Sequence, residues 1–239
     1  MASIKHMLSL LVFEAVAILP IILIIYWAQK YGGGFSWEVK SKLKFNYHPV
    51  FMIIAFVFVM GHSIIAFRIL PLAHRLKKYI HAILNLAAVA FAIAGLVAVI
   101  DFHNEQGYPN FYSLHSWLGL ITLSLLFLQA LGGLTIFQDL VKGASDEIRA
   151  AYKPWHVVAG TAMVTLAAAT ICTGLQEKYS FANPDKFSAN AYTFNFTAVT
   201  ILMWAFTVIY ILVAVEKRTP EDEYETLPET HSQNEESIQ

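Results

Sequence analysis

Four histidines stand near the ends of four different apolar stretches: His48 in NYHPV, His81 in YIHAI, His115 in SLHSW and His156 in PWHVV. Neutral imidazole is a strong ligand for transition metals and for haem iron. Four imidazoles on four separate segments are the number needed to fill both axial positions of two irons. Cys172 is the only cysteine, which excludes an internal disulfide framework, a cysteine zinc site and the C-x-x-C-H attachment of a c-type haem. A haem held here would therefore be non-covalent, of type b.

The elements that must position these histidines follow from composition. Of 239 residues, 57% are hydrophobic and 14% charged, whereas soluble domains run near ~45–50% apolar with about a quarter charged. Lys+Arg is 16 and Asp+Glu 17, a formal net charge of -1 that gives no footprint for nucleic acid. A helix needs about 20 apolar residues to cross ~30 Å of hydrocarbon. Six runs meet that length, at 7–28, 46–69, 80–101, 114–137, 155–175 and 192–215, and none alternates as a barrel strand would. The chain reads as all-α, an integral membrane six-helix bundle with two haems held between helices two to five. Residues 216–239, EKRTPEDEYETLPETHSQNEESIQ, read as a disordered acidic tail.

Charge asymmetry sets the orientation. Ten of the 16 Lys and Arg fall on one side: Lys5, Arg68, Arg75, Lys77, Lys78, Lys142, Arg149, Lys153, Lys217 and Arg218. That side is read as cytosolic, with both termini on it. The second and fourth spans then start from the non-cytosolic side, so His48 and His115 share that level. The third and fifth start from the cytosol, so His81 and His156 share the other. Two pairs at two depths would stack two bis-imidazole haems across the bilayer. With no open coordination position, each iron exchanges single electrons rather than binding substrate.

Other residues at membrane depth are weighed against this set. His62 follows His48 by 14 residues, a spacing that returns to nearly the same helix face about 21 Å along. No other span carries a matching pair, so His62 is read as a packed residue. Glu14 is an intramembrane acid, read as protonated or snorkelling, or as a proton-handling group. Gly95, Gly133 and Gly174 follow His81, His115 and His156 by 14, 18 and 18 residues, back on the ligand face at the depth of the other pair. They either leave room for a macrocycle or let helices pack closely.

With these residues in place, the chain resembles the cytochrome b561 family of ascorbate-dependent transmembrane oxidoreductases over about residues 45 to 215. The most specific stretch is FHNEQGYPNFYSLHSWLG at 102–119, with NYHP, LKKYIH and YKPWH at the other three histidines. Two departures stand out. Asn85 occupies a position where some relatives have a second histidine, and the animal motif ALLVYRVFR is represented by SIIAFRILP, in which Arg68 persists.

The resemblance implies His48 with His115 on the non-cytosolic haem b and His81 with His156 on the cytosolic one. It implies ascorbate as the cytosolic donor, an anion that Lys77, Lys78, Arg149, Lys153 and Arg68 would attract. On the other face it implies monodehydroascorbate or a ferric chelate as acceptor, with His103, Asn110, Tyr112 and Ser113 around SLHSW. His103 would pass a proton there, since imidazole accepts and releases protons near neutral pH. A homodimer in a vacuolar or other endomembrane is the expectation that comes with the family. Two alternatives stay open: a quinol-linked cytochrome b subunit, and a six-helix transporter without haem.

Overall fold

The structure is a computed structural model that describes residues 4–138 and 144–217. Lys142, Arg218 and nearly all of the acidic tail lie outside the described residues. Among the described residues there is no strand, and six helices are long and apolar enough to cross a membrane: α1 Ile4–Lys30, α2 Lys42–Ile69, α3 His74–Gln106, α4 Leu114–Phe137, α5 Asp146–Ala182 and α6 Ala189–Ala214.

Several helices outrun the apolar spans that mark them in the sequence. α3 starts at His74 rather than near residue 80, and it continues through His103 to Gln106. α5 starts at Asp146, nine residues before the apolar run, and carries Pro154 inside it. Hydropathy marks only the part of a helix that matches hydrocarbon, while the helix itself ends where its backbone finds a cap. Ser145 caps α5 by accepting from the Ile148 N–H, and Asp146 and Glu147 complement the positive end of the helix dipole. Ser113 forms a capping box with Ser116 at the start of α4, and Ser188 caps α6. At the far ends, Gly107 (φ 75°) closes α3 and Asn183 (φ 40°) closes α5 in the left-handed region.

α2 is not a uniform helix. A 3-10 turn, Lys42–Asn46, leads into α-helix, then a π-helical segment, Ile54–Val59, and then α-helix again from Met60 to Ile69. A π-segment widens the turn and rotates everything after it relative to a straight α-helix. The one-face relation between His48 and His62 computed for 3.6 residues per turn therefore does not hold. His62 points instead at α1, where its Nε2 meets Glu14 Oε1 at 3.0 Å and its Nδ1 donates to the Phe58 carbonyl at 2.7 Å. Glu14 is thus paired within the bundle rather than snorkelling.

The core sits where α1, α2 and α6 meet, around Phe13, Met60, Ile65, Trp204, Val208 and Ile211, all essentially sealed. α2 and α6 approach closely at Gly61, where a Cβ would lie 2.9 Å from Trp204 Nε1. α1 is tied to α6 at both ends: Trp27 Nε1 donates to Asn190 Oδ1 at 3.1 Å, and His6 Nε2 lies 2.8 Å from the Glu216 carbonyl. The start of the first helix and the end of the last therefore share one end of the bundle. Lys44, almost fully buried, pairs with Glu105 at 2.5 Å and so fastens the first turn of α2 to the last turn of α3.

Candidate functional site

The four histidines of α2–α5 meet in pairs. His48 (α2) and His115 (α4) have ring centroids 6.0 Å apart at an interplanar angle of 81°, and His81 (α3) and His156 (α5) stand 6.1 Å apart at 70°. Two imidazoles sharing one metal through bonds of about 2 Å place their ring centroids about 6 Å apart. The separation is thus what one axially ligated centre requires.

The outer nitrogens fix the tautomers. His48 Nδ1 donates to the Gly95 carbonyl, His115 Nδ1 to the Thr170 carbonyl and His81 Nδ1 to the Ser63 carbonyl, each at 2.9 Å. A carbonyl can only accept, so these three Nδ1 atoms carry the proton and Nε2 keeps its lone pair. That arrangement is usual for a ligating histidine, because the outer hydrogen bond holds the ring and raises its basicity. Asn85 reinforces it around His81, donating to Ser63 Oγ (2.7 Å) and to the His81 carbonyl (2.8 Å). His156 differs: its Nδ1 is buried with no hydrogen-bond partner among the described residues, while Gln129 Nε2 holds its backbone carbonyl at 2.7 Å. With the ring separations of an axially ligated centre and three of the four Nε2 atoms left without a proton, the four residues fit a metal-centred group at each level.

The glycines singled out by spacing stand at the depth of the other pair, and two of them, Gly174 and Gly133, lie against an imidazole. A Cβ on Gly174 would lie 2.6 Å from His115 Cε1, and one on Gly133 would lie 3.6 Å from His156 Cε1. The Gly95 carbonyl is the acceptor for His48. Each of α3, α4 and α5 therefore contributes a histidine to one level and a glycine that seats a histidine of the other.

Each pair opens on a cavity. The His81–His156 cavity is about 980 Å³ and is lined by Arg68, His74, Lys77, Lys78, Arg149, Lys153 and Lys217. All five basic residues expected there are present. Lys77 is buried and Lys153 exposed, Arg68 donates to the Val215 carbonyl at 3.2 Å, and Arg149 reaches the Ile136 carbonyl and Asp146. This end of the bundle is rich in cationic side chains.

The His48–His115 cavity, about 180 Å³, is lined by His103, Asn110, Tyr112 and Ser113 as expected. His103 Nδ1 lies 3.1 Å from the Pro109 carbonyl, and Asn110 donates to Asn104 at 2.8 Å. Ser113 Oγ donates to Glu177 Oε2 at 3.1 Å. Partial burial and the Glu177 carboxylate hold the Tyr112 phenol above its ordinary value, so it remains a hydrogen-bond donor well into alkaline solution. Sequence reasoning missed Glu177 and Lys178 in this lining. They follow the apolar run and look like loop residues. Yet they lie 21 and 22 residues after His156, a helical distance of about 32 Å, which carries them to the level of His115.

The family model for eukaryotic cytochrome b561 matches residues 47–182, which span all four paired histidines. Transmembrane ascorbate ferrireductase 1 of Arabidopsis thaliana is 38% identical over 203 residues, covering 83% of this chain and 84% of the relative. Probable ascorbate-specific transmembrane electron transporter 1 of Oryza sativa subsp. japonica is 34% identical over 224 residues, covering 92% and 95%. The transmembrane ascorbate-dependent reductase CYB561 of Bos taurus is 37% identical over 203 residues, covering 81% and 77%. With its six membrane-length helices, this chain belongs to the cytochrome b561 family, multi-pass membrane proteins whose cofactor is b-type haem.

Proposed function

We propose that this protein carries single electrons from ascorbate across a membrane to an acceptor on the other side, using two b-type haems. His81 and His156 would hold one haem, and His48 and His115 the other. The observation that carries the reading is the double pairing of imidazoles at 6.0 and 6.1 Å with three of four Nδ1 atoms committed to carbonyls. When bound, each haem would supply a one-electron redox centre held by its two histidines.

The chain's own residues do the rest. The cationic cavity at the His81–His156 end is the donor site, where Lys77, Lys78, Arg68, Arg149 and Lys153 concentrate the ascorbate monoanion and pair with its oxygens. Loss of one electron and one proton turns the monoanion into monodehydroascorbate, and the proton leaves through the open mouth of that cavity. At the other end, the acceptor is monodehydroascorbate or a ferric chelate. The first takes up an electron and a proton, for which His103 is placed at the cavity wall. The second takes up an electron alone. The excess of Lys and Arg at the donor end supports a cytosolic position for that end and for both termini. The family supplies the expectation of a homodimer in a vacuolar or other endomembrane.

A redox titration of the purified protein tests the reading. Wild type is expected to show two haem transitions, His81→Ala to lose one and His115→Ala the other. A single transition, or loss of both with either substitution, would refute it. Rapid reduction by ascorbate without added quinol separates this reading from a quinol-linked subunit, and a colourless protein would leave only a transporter.

A further inference from the structure

We infer that Lys178 is the anion-recognising cation of the His48–His115 cavity, reserved for a carboxylate or enolate oxygen bound there. The inference rests on the di-haem reading above and adds a residue that neither the histidine pattern nor the loop 102–119 contains.

The argument is an accounting of charge at that end. Lys44 is matched by Glu105. Glu177 is matched by a donor and a dipole: Ser113 Oγ reaches it at 3.1 Å, and Ser113 stands at the positive end of α4. Glu177 and Lys178 are the charged side chains of the lining besides its histidines, and Lys178 has no carboxylate within ion-pair distance among the described residues. Its Nζ lies 4.4 Å from the Phe45 ring centroid and 5.5 Å from that of Trp27. Aromatic faces hold a cation in place but do not neutralise it. Phe45, Trp27 and Lys178 all line the cavity that contains His48 and His115. A half-buried ammonium held by two rings and facing a cavity leaves its charge for whatever enters.

Two sources could supply the anionic oxygen: the peripheral carboxylates of the haem itself, or the acceptor. The test uses full-length protein in detergent, as wild type, Lys178→Met, Lys178→Gln and Lys178→Arg. One arm is a redox titration without acceptor, reading the transition that His115→Ala removes. The other is steady-state oxidation by ferricyanide, an anion, and by hexaammineruthenium(III), a cation.

If the oxygen belongs to the acceptor, Lys178→Met and Lys178→Gln raise KM for ferricyanide about fivefold. They leave KM for the ruthenium complex unchanged or lower, and Lys178→Arg restores wild-type behaviour. If it belongs to the haem, the two neutral variants shift or weaken the His115-dependent transition with no change in the ferricyanide KM. Either result supports the inference. Two intact transitions with unaltered midpoints and unaltered KM values in the neutral variants would overturn it while leaving the di-haem reading standing. Failure of wild type to show two transitions would instead overturn that reading.

Discussion

Gly174 and Gly133 look alike in the sequence, each 18 residues after a histidine on its own helix, yet they meet their imidazoles differently. A Cβ on Gly174 would stand inside the van der Waals envelope of His115, whereas one on Gly133 would make an ordinary contact with His156. Overpacking of that kind costs about 1–3 kcal/mol where the neighbour cannot move. His115 is fixed by its bond to Thr170. Gly174→Ala is therefore expected to remove or shift the His115-dependent transition alone, and Gly133→Ala to leave both transitions near their wild-type midpoints, as read by potentiometric titration. At the same scale, the four ligand positions were legible because imidazoles at matched depths in apolar runs are rare. The carbonyls that hold them were not. Gly95, Thr170 and Ser63 accept through backbone oxygen, and backbone oxygen leaves no mark on residue type.

Among the helices, α2 shows how far a periodicity argument reaches. Its apolar run identified a span correctly, but the π-segment Ile54–Val59 alters the phase of everything beyond it and brings Ser63 to His81 and His62 to Glu14. Nothing in IAFVFV distinguishes it from ordinary apolar helix, so the rotation could not be read in advance. Deleting one residue from this segment should restore α-helical phase and turn Met60–Ile69 by about 100°. The Ser63 carbonyl would leave His81, and the expected result is a shifted or lost His81-dependent transition with the His115-dependent one retained. Helix ends were misread for a related reason. Ser145 with Asp146 and Glu147 starts α5 in water, where hydropathy carries no information about helix. The clasp between α2 and α3 can also be tested. Lys44→Met leaves Glu105 with the Lys40 N–H but without its ammonium partner. Because Glu105 is partly solvated, the expected loss is smaller than the usual cost of breaking a buried pair, and a modestly lowered thermal midpoint would report it.

Across the whole molecule, one cavity is large and ringed by cations, the other small and mixed in charge. A cationic basin acts over roughly a Debye length, about 8 Å at physiological ionic strength. Reduction by ascorbate should therefore slow as salt is raised, while reduction by an uncharged reductant should not, and stopped-flow traces at several salt concentrations would check it. Lys153→Gln, at the exposed rim, should flatten that salt dependence without moving either midpoint. The six-helix plan was legible throughout, since hydrocarbon thickness imposes it. The polar lining beyond the apolar runs was legible only in the loop 102–119. The histidine-bearing helices α2–α5 are also bracketed by α1 and α6, which clamp each other through Trp27 and Asn190 and bear none of the paired imidazoles. Four traverses being an even number, residues 47–182 begin and finish on the same face of the bundle. The stretch therefore imposes no inversion between the segments on either side of it, and α1 and α6 can meet each other directly across the bundle.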